Sequence, residues 1–141
     1  MDLEDNYVRL DILGRGAFAT CWSSRRRSDG RKFALKVMHT DIEALSAIEK
    51  DDILNEINLL GQLNHPSIIQ YVASFVRNNK HHIVMEYATG GSLFQVIKET
   101  DGIAFNEDNI WEWFAQLAQA LEYVHSQNIL HRDIKTQNIL L

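Results

Sequence analysis

The hydrophobic pattern changes period part-way along the chain, and this change limits the fold more than any other feature. Up to about Tyr87 the pattern reads as strands interrupted by one helix, and beyond Gly90-Gly91 it reads as helices. Residues 7–14 and 20–26 read as two strands joined by a glycine turn at Gly14 and Gly16. Ser28-Asp29-Gly30 is a turn into a third strand, Lys32 to Met38, where Phe33, Leu35 and Val37 share one face and Ala34 and Lys36 the other. From about Ser46 to Leu63 the period is helical, with Ile53, Ile57 and Leu60 as the stripe and Glu56 beside it. Ile68–Val76 and His82–Tyr87 read as a hairpin around Asn78-Asn79. Ser92 is placed to cap a short helix through about Glu99, and Asn106 to cap a long one whose Glu107 and Asp108 sit at its positive end. On the long helix Ile110, Phe114, Leu117, Leu121 and Val124 are expected to form a core stripe, widened by Ala118 and Ala120. Strands first and helices second make an α+β protein.

Composition narrows the class. A chain of 141 residues that is 45% hydrophobic and 23% charged has enough apolar side chains for a folded core. No apolar run approaches a membrane span, and the acidic start Met1-Asp2-Leu3-Glu4-Asp5 lacks the basic opening and apolar stretch of a signal peptide. A net charge of −5 argues against a nucleic-acid partner, and no membrane partner is expected either. Cys21 stands alone, so no internal disulfide or cysteine-rich zinc site is expected; a reducing, intracellular compartment fits best, with the cytoplasm as the expectation. His81-His82 lacks the i,i+4 spacing of a helical metal pair and is expected to be solvated at a hairpin tip. Arg25, Arg26, Arg27, Arg31 and Lys32 read as a solvated basic edge, and Trp111 and Trp113 as core or interface residues.

Three clusters carry chemistry. Gly14-Arg15-Gly16-Ala17-Phe18-Ala19 is a glycine-rich loop between two strands. Glycines let backbone amides approach phosphate oxygens with no Cβ in the way, although the pattern taken alone is more often an ordinary hairpin turn. Phe33-Ala34-Leu35-Lys36 puts a small residue and a cation on one strand face, 20 positions after Gly16. His131-Arg132-Asp133-Ile134-Lys135-Thr136-Gln137-Asn138 places an acid, a lysine two residues on and an amide five residues on in one short loop. Phosphoryl transfer needs those groups together: a carboxylate to orient the attacking hydroxyl, an ammonium on the moving phosphate and an amide oxygen on Mg²⁺.

That last run resembles the catalytic loop of protein kinases, and Lys135 is the form seen in the serine/threonine kinases. The glycine loop, the Ala34-Leu35-Lys36 strand and Glu56 with the following His65-Pro66 come in the order and spacing of the same family. Gln62–Phe75 and Lys135–Asn138 look like the NIMA-related kinases. The resemblance implies a protein-kinase-like fold with a complete N-terminal lobe to about residue 85, a hinge over 86–91 and the start of the helical C-terminal lobe over 92–141. It implies ATP and Mg²⁺ as cofactors and a protein substrate with a Ser or Thr acceptor, in the cytoplasm or at the cytoskeleton or nucleus. By the same resemblance Asp133 is the catalytic base, Lys135 the γ-phosphate contact and Asn138 a Mg²⁺ ligand. Lys36 contacts the α- and β-phosphates and pairs with Glu56. Leu13 and Cys21 clamp the adenine from above and Leu140 from below, with Ala34 under the base. Met85 is the gatekeeper, Glu86 (carbonyl) and Ala88 (amide) bond the base, and Ser92 lies near the ribose. His131 packs structurally, and Arg132 receives an activation-loop phosphate.

Departures from the pattern matter too. Ala19 stands where the third glycine would be and is small enough for ATP binding to survive; Cys21 replaces the usual valine and could equally be a small buried hydrophobe. Met85 and Tyr87 could be plain strand core. The Asp-Phe-Gly that kinases carry roughly a dozen residues after Asn138 does not occur in the chain, which therefore reads as an incomplete kinase domain, inactive alone. The alternative is a non-catalytic ATP-binding or protein-interaction module. Oligomeric state is open.

Overall fold

A computed structural model describes residues 3–141. Met1 and Asp2, the first residues of the acidic start and of the expected domain, lie outside the described residues. The chain divides into two compact units, one running to Asn64 and resuming over Ile69–Tyr87, the other made of His65–Ile68 and Ala88–Leu141.

The first unit is a five-stranded antiparallel sheet with one long helix. β1 (Tyr7–Arg15), β2 (Ala19–Arg26), β3 (Lys32–Met38), β4 (Tyr71–Arg77) and β5 (Lys80–Met85) lie in the order β1-β2-β3-β5-β4. The alternation read in Lys32–Met38 is realised in full. Phe33, Leu35 and Val37 are buried with Tyr7 and Val84 in the core, and Trp22, Ala73 and Phe75 pack against it. The Tyr7 ring meets Phe33 edge-on at 5.7 Å and stacks on Phe75 at 6.2 Å. On the other face Lys36 stands opposite Cys21 and Ile83, and Ala34 opposite Ser23 and Met85. The helix α1 spans Ala47–Gln62; Ser46 and Glu49 close a reciprocal capping box at its start, and Ile57 is its buried residue.

The hairpin between β4 and β5 corrects two expectations. Strand pairing begins at Tyr71 rather than Ile68, and the second strand runs over Lys80–Met85 rather than His82–Tyr87. Asn78 and Asn79 both take the left-handed backbone, at φ 49° and 61°. They close a two-residue turn that matches the twist of the strands, so pairing resumes at once with Arg77 opposite Lys80. His81 and His82 are therefore strand residues and not a solvated tip. His82 is buried with its ring stacked on Phe75 at 5.0 Å, and burial pushes the His81 imidazole pKa down. At the β2–β3 turn Arg26 donates to Asp29 and lies over the Phe33 ring, while Arg25, Arg27, Arg31 and Lys32 are exposed as expected.

In the second unit Ser92 caps α2 (Leu93–Glu99) through a second capping box, with Gln95, and Asn106 caps α3 (Glu107–Ser126). The chain end returns beside α2: the Leu93 amide donates to Ile139 (2.8 Å) and the Leu141 amide to Gly91 (2.9 Å). A Cβ at Gly90 would stand 2.8 Å from the Leu141 carbonyl oxygen, so this return leaves room only for glycine. The core stripe expected on α3 holds only at its C-terminal end. Ala120 and Val124 are buried and Leu117 and Leu121 half-buried, whereas Ile110 and Phe114 are 49% and 60% exposed. Helical periodicity marks a face that is apolar but does not supply what buries it: Phe114 meets the Trp111 ring of its own helix edge-on at 6.0 Å and stays exposed. Trp111 is exposed, while Trp113 is half-buried against Phe105. No helix among the described residues is long and apolar enough to cross a membrane.

Candidate functional site

The first unit assembles one half of the candidate machinery. The β2–β3 register sets Cys21 directly opposite Lys36, and the Lys36 ammonium reaches the Glu56 carboxylate of α1 at 3.5 Å. Both partners are partly solvated, so the pair contributes only about 0–1 kcal/mol to stability. Burial pushes the Cys21 thiol pKa up, and the Lys36 charge pulls it back down. Gly14 belongs to β1 opposite Cys21, which corrects the turn expected there; the turn lies beyond Arg15 and is closed by the Gly16 amide donating to the Ala19 carbonyl at 2.9 Å. Leu13, Arg15, Ala17 and Phe18 are exposed and Ala19 is buried. Ala34 is buried and Met85 half-buried at the end of β5. Glu86 is exposed and its carboxylate accepts from the Gln70 amide at 3.1 Å.

The second unit assembles the other half. The Lys135 ammonium lies 3.0 Å from Asp133 Oδ2, and Asn138 Nδ2 donates to the same oxygen and to the Asp133 carbonyl, both at 2.9 Å. The Asp133 amide donates to His131 Nδ1 at 3.2 Å, and Arg132 takes a left-handed backbone at φ 65°. The Lys135 hydrogen bond, helped by Asn138, holds the Asp133 carboxyl below its ordinary value of 3.8, so this exposed acid is a carboxylate at neutral pH. Lys135→Met should therefore raise the Asp133 titration back toward the ordinary range, a shift that carbon-detected NMR of the side chain would read. With the Asn138 amide nitrogen turned to Asp133, its amide oxygen is the hard donor that suits Mg²⁺, an ion content with one or two protein oxygens beside water and phosphate. No cluster of three or more His, Cys, Asp or Glu suited to a metal is present among the described residues. Ser92 has its hydroxyl engaged by Gln95, Leu140 forms an isolated bridge with Ser92, and Ala88 is half-buried.

A family model described as protein kinase domain matches residues 7–141. The chain belongs to the protein kinase family. Its sheet with α1 corresponds to the N-terminal lobe of that fold, and α2, α3 and the Asp133 loop to the start of the C-terminal lobe. Among curated proteins it is similar to the serine/threonine-protein kinase Nek1 of Mus musculus, 41% identical over 97% of this chain. It is also similar to the serine/threonine-protein kinase nekl-2 of Caenorhabditis elegans (38%) and to the probable serine/threonine-protein kinase nek3 of Dictyostelium discoideum (40%), again over 97% of the chain. These agree with the NIMA-related resemblance read from Gln62–Phe75 and Lys135–Asn138. The chain spans 11%, 40% and 12% of the lengths of these three relatives.

One residue beside the glycine loop belongs to no motif and was not legible in the sequence. His39, just past β3, has its Nδ1 3.2 Å from the Ala17 carbonyl and its Nε2 2.9 Å from the Thr20 hydroxyl. Its only sequence signal is that it follows a strand paired to the loop's far side.

Proposed function

We propose that this chain forms the nucleotide-binding and acceptor-orienting part of an intracellular, cytoplasmic kinase that moves the γ-phosphoryl group of ATP to Ser or Thr hydroxyls of proteins. The observation that carries this reading is the closed cluster of Asp133, Lys135 and Asn138 around an ionised carboxylate. A carboxylate held in this way can align a hydroxyl and accept its proton, while the ammonium beside it offsets charge on the transferring phosphate. Lys36, aimed by Glu56, would take the α- and β-phosphates, and the amides of Gly14–Ala19 the phosphate oxygens. The loop supports this from within. Gly14 and Gly16 do not take the left-handed backbone that favours glycine, and a Cβ at Gly14 would meet no atom within 4 Å. The fold itself has no need of glycine at position 14; a phosphate in close approach would. The Asn138 amide oxygen would help hold Mg²⁺, which would supply positive charge against the phosphates. Leu13, Cys21, Ala34, Met85, Glu86, Ala88, Ser92 and Leu140 keep the base and ribose roles that the family implies.

These 141 residues hold one proposed metal ligand and no Asp-Phe-Gly, so by themselves they are expected to bind ATP without turning it over. Cys21 reports the binding. Alkylation followed by mass spectrometry should be slower with ATP–Mg²⁺ present than without it. Equal rates would take Cys21, and the adenine placement, out of the reading. Protection by nucleotide together with no phosphoryl transfer by a protein that carries this chain within a full kinase domain would favour the non-catalytic ATP-binding module instead.

A further inference from the structure

We propose that His39 is a positioning residue for the glycine-rich loop, its imidazole clasping Ala17 and Thr20 so that the loop amides are ordered before the nucleotide phosphates arrive. The inference rests on the nucleotide-binding reading above.

The loop between β1 and β2 has little packing to hold it: Phe18 at its tip is 78% exposed. What ties it down is polar. The His39 ring spans the turn, meeting the Ala17 carbonyl on one side and the Thr20 hydroxyl on the other. The His39 amide also donates to the Phe18 carbonyl at 2.9 Å, so one residue contacts Ala17 and Phe18 in the loop and Thr20 at the start of β2. A carbonyl can only accept, so Nδ1 carries a ring proton and donates to Ala17, while Nε2 and the Thr20 hydroxyl share the second hydrogen bond. Thr20 is itself buried, which makes it a fixed point for the ring.

His39 is braced from behind. The Lys80 ammonium donates to the His39 carbonyl and pairs with Asp41 at 3.3 Å, linking the clasp to the start of β5. A loop ordered in advance loses less backbone freedom when a phosphate binds, and that difference appears as affinity.

The test uses the 141-residue chain and its His39→Ala, Thr20→Val and His39→Asn variants. Hydrogen exchange at the Gly16 and residue-39 amides, affinity for ATP–Mg²⁺ and melting temperature are measured side by side. His39→Ala should speed exchange at both amides and weaken ATP about three- to tenfold, the worth of one net hydrogen bond. Thr20→Val should do the same more mildly. His39→Asn, whose amide N–H stands in for Nδ1–H, should recover most of the loss, with the melting temperature nearly unchanged throughout. Unchanged exchange in His39→Ala and Thr20→Val would overturn the clasp. A loss of affinity that follows melting temperature and is not rescued by asparagine would leave His39 a merely structural residue. A wild-type chain that fails to bind ATP would sink the nucleotide reading and the clasp's purpose with it, whereas equal ATP affinity in wild type and His39→Ala would sink the clasp alone.

Discussion

Lys36→Met and Asp133→Asn, each made in a protein that carries this chain within a full kinase domain, are expected to lower phosphoryl transfer about a thousandfold or more while leaving the fold intact. Lys36 stands on the sheet face opposite the core, and its pairing with Glu56 is too solvated to matter to stability. Asp133 is exposed, and among the described residues its hydrogen bonds run within its own loop. Under the proposed function, removing the ammonium would take a positive charge from the nucleotide phosphates, and replacing the acid by an amide would remove the carboxylate that aligns the hydroxyl. Circular dichroism and melting would confirm folding, and a radiolabel transfer assay would read the rate. Turnover near the wild-type level in either variant would remove that residue from the mechanism.

The neighbouring residue should behave in the opposite way. Leu35→Ala is expected to destabilise the protein by about 2–5 kcal/mol, a large share of the roughly 5–15 kcal/mol that holds a domain folded. Leu35 is 2% exposed and lies in the core beside Val84, which is 0% exposed, so the lost methyl groups leave a cavity that the surrounding strands cannot easily close. Urea denaturation of the chain measures the change. A loss under about 1 kcal/mol would mean that the core collapses around the gap and is less tightly packed than its burial indicates. One strand thus carries a buried core residue and the lysine proposed to meet the phosphates side by side, on opposite faces.

That division is legible in the amino-acid order alone, because alternation along a strand and caps on a helix are local. Ser92 and Asn106 cap the helix starts as expected, and the helix expected from about Ser46 begins there, with Ser46 as its cap. Lys32–Met38 is paired over its whole expected length. The spacing from Asp133 to Asn138 is enough to expect one hydrogen-bonded cluster. Where the sequence misleads, the answer depends on contacts between distant residues. The two histidines after the Asn78-Asn79 turn look solvated by composition, but the tightness of that turn sends them into a strand, and the ring of Phe75 on the paired strand buries His82.

By itself, then, the sequence determined the order of elements, their caps, the two faces of β3 and the family, since each of these is written in the spacing of neighbouring residues. Only the tertiary structure decided the partners. It left Ile110 and Phe114 of an apolar stripe exposed and set His39 against Ala17 and Thr20, whereas the Lys36–Glu56 pair is one the family resemblance already implied. A side chain's type and period state what surface it could present, but which group meets that surface depends on strand register and helix docking, and these exist only once the whole unit has packed.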